Sequence, residues 1–322
     1  MKQRNLGHLT DVPGFLLGHA QEEAWGTGVS VILAPAGSIG GVDVRGGAPG
    51  TRETDLLRPE NAVSQVDAVV LSGGSAFGLE AACGVMKGLR AAGRGLETGY
   101  GRVPIVSSAV LYDLGVGESG RWPTMEMGLQ ALKDASDSAP AQGNVGAGLG
   151  CTVGKLFGMA QAMKSGLGQA SLQSGDVVVS CVVAVNAVGD VMDPTKPGTH
   201  LAGLLDDQGR RASSWKAFCQ QGGNQPSLLG KNTTIACLAT NARLDKAGTT
   251  KVCQMGQDGL ARAIVPVHTL FDGDSLFCLA SGQVEAEPNL VGILGAAVVQ
   301  EAIYNAILFA EPAYGLMSYQ SL

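Results

Sequence analysis

Residues 176–188 read DVVVSCVVAVNAV, a run of small and β-branched apolar residues with no polar alternation. A strand with one wet face alternates apolar and polar side chains, so a run like this is covered on both faces. A chain that contains it must lay other elements on each side of a sheet. Strand-like runs recur at 28–44, 66–71, 103–114, 233–240 and 275–280. Helical spacing lies between them. Leu79, Ala82, Cys83, Met86 and Leu89 recur every three or four residues, with Ser75 as the expected N-cap. Pro123-Thr124 opens a helix over 124–135, another surrounds Val252, Met255, Gly259 and Leu260, and a last one starts near Asn289. The mixture predicts an α/β or α+β protein. Residues 205–231 are polar, with Arg210-Arg211 and Gln220-Gln221-Gly222-Gly223, and read as an exposed linker.

Composition narrows the function. Glycine makes up 48 of 322 residues, yet there is no collagen period and 45% of the chain is hydrophobic. The glycines therefore belong to tight turns and close backbone packing inside a folded protein. A net charge of −6 argues against a nucleic-acid partner, because phosphate binding needs a basic surface. Seven cysteines without a C-x-x-C pair read as thiols in a reducing compartment, and no histidine is spaced to share a metal with them. No signal peptide is read at the N-terminus. The apolar stretch 291–310 is interrupted by Gln300, Glu301 and Asn305, which predicts a buried or amphipathic helix and no membrane partner. The expected setting is the cytoplasm, and neither a metal nor a cofactor is expected.

Several short motifs each have a functional and a structural reading. Gly73-Gly74-Ser75 lies between a strand and a helix, where it can bind an anion or make a tight turn. The segment 148–155 imitates a phosphate loop but lacks its first glycine and the hydroxyl after Lys155. Lys155 is then either a surface lysine or a working group in a charge-poor stretch. Asn232-Thr233-Thr234 stands between the polar linker and a buried strand. It is either a strand start or a place where the chain cuts itself. A cut would leave Thr233 with a free α-amine able to take its hydroxyl proton. Asp272-Gly273-Asp274 is a turn, or a carboxylate pair that orients a catalytic amine or hydroxyl. Asn186, in its apolar run, makes a structural bond or donates to an oxyanion. Tyr112, at a strand end, presents the same choice.

Taken together in order, these motifs resemble the DmpA-like aminopeptidases, the L-aminopeptidase/D-esterase-amidase group that includes β-peptidyl aminopeptidases and nylon-oligomer hydrolases. The resemblance spans Asp11-Val12-Pro13-Gly14, residues 42–47, 71–80, 106–113 and 143–148, Asn232-Thr233-Thr234-Ile235, Ala239-Thr240-Asn241 and residues 268–274. It implies one domain over 1–322, a four-layer α/β/β/α sandwich, made as a precursor that cleaves between Asn232 and Thr233. The products would be an α chain of 1–232 and a β chain of 233–322. Thr233 would be the nucleophile and its amine the base, with Lys155 beside it. Asn186 would donate to the oxyanion, and Tyr112 and Asn144 would face substrate. Asp272 and Asp274 would hold the nucleophile's amine. The implied substrate is a small peptide, amino-acid amide or amide oligomer, and the implied assembly a homo-oligomer, a tetramer of αβ units. Two other readings stand beside this one. One is acyl transfer of the ornithine acetyltransferase type; the other is a non-enzymatic anion- or nucleotide-binding protein.

Overall fold

A computed structural model describes residues 7–138, 140–220, 222 and 232–322. Its two five-stranded sheets use, in chain order, β1 (Leu16–Glu22), β2 (Thr27–Leu33), β3 (Ile39–Val44), β4 (Gly50–Arg52) and β5 (Ala68–Ser72). They continue with β6 (Val106–Val110), β7 (Leu167–Ser174), β8 (Val177–Asn186), β9 (Thr233–Arg243) and β10 (Ser275–Glu285). The first sheet runs β1-β2-β5-β6-β4 and the second β7-β8-β9-β10-β3. Each contains one parallel pair, β5 with β6 and β9 with β10; the other neighbours are antiparallel. The helices are α1 (Ala81–Ala91), α2 (Met125–Lys133), α3 (Ser214–Gln220), α4 (Lys246–Ala263) and α5 (Pro288–Leu308).

All ten residues of β8 are buried. The strand period of two divides them between two cores. Val179, Cys181, Val183 and Val185 face Leu238, Val252, Val298 and Ile303 on the helix side. Val178, Val182 and Ala184 face Leu71, Ala109 and Phe277 between the sheets. A third core joins Val29, Val31 and Val70 of the first sheet to Ala82, Val85 and Leu89 of α1. Three cores between four layers give the α/β/β/α sandwich. The apolar helix α5, long enough to cross a membrane, is one of the layers: two-thirds of its most apolar stretch is buried against the second sheet and α4.

Two expectations change here. Ser75 does not cap α1. A 3-10 turn over Ser75–Glu80 precedes the α-helix, so Glu80 stands at the N-cap of α1; Gly74, at φ +81°, is the N-cap of the 3-10 turn, and Ser75 follows at φ +53°. Glycine adopts the left-handed turn without a Cβ clash, and Asp113 fixes it by accepting the Gly74 N–H at 2.6 Å. The stretch read as an exposed linker contains α3, and Phe218 and Ala217 on it pack against Leu156, Val188 and Leu204. Residues 221 and 223–231 of that stretch lie outside the described residues. Thr124, read as the first residue of its helix, stands just outside it and caps α2 by accepting the Met127 N–H.

Candidate active site

Thr233 begins β9, and register places it opposite Asn186, the last residue of β8. Both are buried. The ladder between the two strands runs from Val179 opposite Thr240 to Asn186 opposite Thr233. The Thr233 hydroxyl donates to the carbonyl of Asn232, its own preceding residue. The same carbonyl accepts the Gly273 N–H at 2.9 Å. A main-chain donor is therefore already aimed at the oxygen that would carry negative charge if this carbonyl were attacked. A Cβ on Gly273 would stand 2.7 Å from Thr233 Oγ1, so this position requires glycine.

Lys155 approaches from the other side. Gly154, at φ +73°, makes the left-handed turn that aims it. The buried ammonium donates to Asn186 Oδ1 at 2.6 Å and to Asn186 O at 2.9 Å. Thr152 adds its N–H at 3.1 Å and its hydroxyl at 3.3 Å to the same Oδ1. Three donors on one atom fix which end of the amide is oxygen. The Asn186 NH2 then points the other way. It donates one hydrogen to Tyr112 O at 2.8 Å, which leaves one N–H for an oxyanion. Tyr112 thus enters the site through its carbonyl, with its side chain half-buried.

The carboxylate pair is asymmetric. Asp274 accepts the Thr234 N–H at 2.7 Å on Oδ1, and on Oδ2 the His268 N–H at 3.1 Å, with His268 Nδ1 at 2.8 Å. It holds the residue after the nucleophile. Asp272 accepts the Thr269 N–H at 2.9 Å and the Thr269 hydroxyl at 2.6 Å, and its backbone pairs with Asn232. Burial, and then the Asp274 charge, pushes Asp272 up to about 6. Burial pulls Lys155 down to about 7, against the pull of Cys151, Asp272 and Asp113. Near neutral pH this lysine is thus not a fixed cation.

Asn144 is not part of this group. Its amide donates to Glu311 O at 3.0 Å and accepts the Glu311 N–H at 3.3 Å, which ties it to the C-terminal segment. Four residues with no role in the sequence reading belong here instead: Thr152, Gly273, His268 and Asp113. Asp113 accepts from Thr27 Oγ1 and Gly74 N, both at 2.6 Å. The glycine turn that resembles an anion site is thus occupied by the chain's own carboxylate. Lys155 is likewise engaged with Asn186, which removes the support for phosphate binding. Asp113 and His268 lie within 106–113 and 268–274, two of the segments that carry the family resemblance; an acidic residue at the end of a buried strand is the signal for the first.

A model of peptidase family S58 matches residues 7–320. The chain belongs to peptidase family S58. It is a hydrolase of peptide or amide bonds, and the match favours hydrolysis over acyl transfer. Among its curated relatives is an uncharacterised aminopeptidase of Mycobacterium leprae, 41% identical over 98% of this chain and 93% of that one. A 6-aminohexanoate-oligomer endohydrolase of Agromyces sp. is 33% identical over 93% of this chain and 84% of that one. A Burkholderia sp. β-aminopeptidase structure superposes with a TM-score of 0.71 at 19% identity, covering 98% of this S58 chain and 91% of its own. The L-aminopeptidase D-Ala-esterase/amidase of Ochrobactrum anthropi, described as a variant of the Ntn-hydrolase fold, follows at 0.67 and 18%, over 94% and 86%. These two likenesses establish the four-layer fold.

Proposed function

We propose that this S58 peptidase is made as an uncut precursor, cleaves itself between Asn232 and Thr233, and then hydrolyses small peptides, amino-acid amides or amide oligomers with Thr233 as nucleophile. One observation carries the reading: the Asn232 carbonyl lies between the Thr233 hydroxyl and the Gly273 N–H. Thr233 Oγ1 adds to the Asn232 carbonyl carbon, and the Gly273 N–H stabilises the oxyanion. The C–N bond breaks, the nitrogen takes a proton, and an ester remains. Water hydrolyses the ester to the Asn232 carboxylate and the free Thr233 hydroxyl, beside the α-amine already released, whose ordinary pKa of about 7.7–8.0 leaves a neutral fraction at pH 7.

In turnover the neutral amine takes the hydroxyl proton as Oγ1 attacks the substrate carbonyl. The spare Asn186 N–H stabilises the oxyanion, the leaving amine departs protonated, and water releases the acyl group. Uncut, Thr233 is only 4% exposed, so cleavage both creates the base and opens the nucleophile to substrate. The names of the relatives, aminopeptidase and 6-aminohexanoate-oligomer endohydrolase, support the substrate range. A cytoplasmic setting is supported by seven unpaired cysteines. A tetramer of αβ units rests on the family resemblance, and light scattering on the purified enzyme reads it directly.

Denaturing electrophoresis tests the central step. The active enzyme is expected as fragments 1–232 and 233–322, about 24 and 9 kDa of the 32.8 kDa chain. Thr233→Ala is expected to stay full-length and inert. A full-length active parent, or cleavage at the same bond without the hydroxyl, would rule out this assignment.

A further inference from the structure

The mechanism above makes no use of Lys164, although its side chain is fully buried close by. Its ammonium donates to Gly148 O and Cys151 O, both at 3.2 Å, and to Ser165 O. All three acceptors are main-chain carbonyls. An ammonium taken out of water onto neutral acceptors is unfavourable to fold, a cost that points to a task other than stability.

The contact with Cys151 O supplies that role. Cys151 C=O and Thr152 N–H are the two ends of one rigid peptide unit. Lys164 Nζ and the Ser165 N–H, at 3.0 Å, hold the carbonyl end. Asn186 Oδ1 holds the N–H end at 3.1 Å. Lys164 also faces Thr152 across a two-residue antiparallel ladder. A positive charge on the carbonyl oxygen polarises the peptide and strengthens the bond its N–H makes. The route from Lys164 to the amide opposite the nucleophile thus has a single peptide plane between its two ends.

We propose that Lys164 is a positioning residue for amide hydrolysis: it orients the Cys151–Thr152 peptide, which fixes the Asn186 amide with its NH2 toward the oxyanion. The inference rests on the assignment of Asn186 and Thr233 above. Tilting the peptide would leave Asn186 Oδ1 with weaker partners and let the amide turn. The ground-state complex depends little on that donor, so the loss falls on kcat.

Steady-state kinetics on an amino-acid p-nitroanilide that the parent hydrolyses, per processed active site, tests this with Lys164→Met, Thr152→Val and the double variant. Lys164→Met is expected to lower kcat about 10- to 100-fold with KM within about threefold, short of the effect of deleting an oxyanion donor outright. Thr152→Val, which removes only the hydroxyl bond to Asn186, is expected to lower kcat by at least about threefold. The double variant is expected to stay within about 1.5-fold of the worse single, because both act through Asn186. A kcat within about twofold of the parent for Lys164→Met, or losses that multiply in the double, would overturn the proposal. Should Lys164→Met fail to fold, Thr152→Val decides: unchanged kcat overturns it, and a lowered kcat at constant KM supports it. Thr233→Ala run alongside reads the underlying assignment separately. Hydrolysis by that variant would remove the nucleophile assignment, whatever the Lys164 result.

Discussion

Asn186 Oδ1 receives three donors while its NH2 keeps one hydrogen free, and at the residue scale the proposed mechanism turns on this imbalance. A buried amide held that firmly cannot turn, so its remaining N–H is preorganised toward any oxyanion formed opposite it. Gly273 is held as tightly. Gly273→Ala would place a Cβ 2.7 Å from Thr233 Oγ1 and 3.0 Å from Ala48 O. It is expected to slow self-cleavage at least about tenfold, because a small misplacement of reacting atoms has large kinetic consequences; time-course electrophoresis after synthesis checks this. The types of the central residues were legible in the sequence: Thr233, Lys155, Asn186 and the Asp272–Asp274 pair stand at interruptions of otherwise apolar or glycine-rich runs. Their bonding was not. Nothing in spacing tells that Asp274 reaches Thr234 and His268, or that Asn144 closes onto Glu311, since those partners come from loops whose course the local pattern does not specify.

At the scale of elements, α1 and α2 pack with backbone against backbone at two glycines. A Cβ on Gly84 of α1 would meet Met125 O of α2 at 1.8 Å, and one on Gly128 of α2 would meet Ala81 O of α1 at 2.0 Å. The two glycines admit each other's backbones, which flexible side chains cannot relieve. Gly84→Ala or Gly128→Ala would gain helix propensity but force the helices apart. Either is expected to destabilise by about 1–3 kcal/mol, the usual range for overpacking, read as a lower midpoint in urea. The strands and long helices were legible because periodicity reports burial directly. The entry to α1 was not, because Asp113, far along the chain, decides the conformation of Gly74. Nor was α3 visible inside a polar stretch, where one turn of apolar residues is too short to show a period.

For the whole molecule, buried ionisable groups give stability a pH signature. Burial lowers Lys155 to about 7 and Lys164 to about 8, against 10.5 for an exposed lysine. Above pH 7 the unfolded chain therefore holds more protons on these groups than the native one, and stability rises with pH. The buried thiols act the other way. Burial raises Cys151 to about 12, and Cys237 and Cys253 well above their ordinary 9.0. Unfolded thiols ionise first, so stability falls again above about pH 9. The melting temperature is expected to climb from pH 7 to about 8.5 and then drop; Lys155→Met should flatten the climb, as scanning calorimetry can show.

The order of the second sheet has one more consequence. Strands β9 and β10, both after residue 232, lie between β8 on one side and β3 on the other. A nick before Thr233 would leave the shorter piece clasped by the longer along two full ladders, under the first sheet and in contact with its core. Two such pieces would not trade partners between molecules on dilution or mixing. Isotopically labelled and unlabelled enzyme incubated together should stay unmixed by native mass spectrometry, and the nicked protein would be inherited by each molecule as a permanent record of its own cleavage.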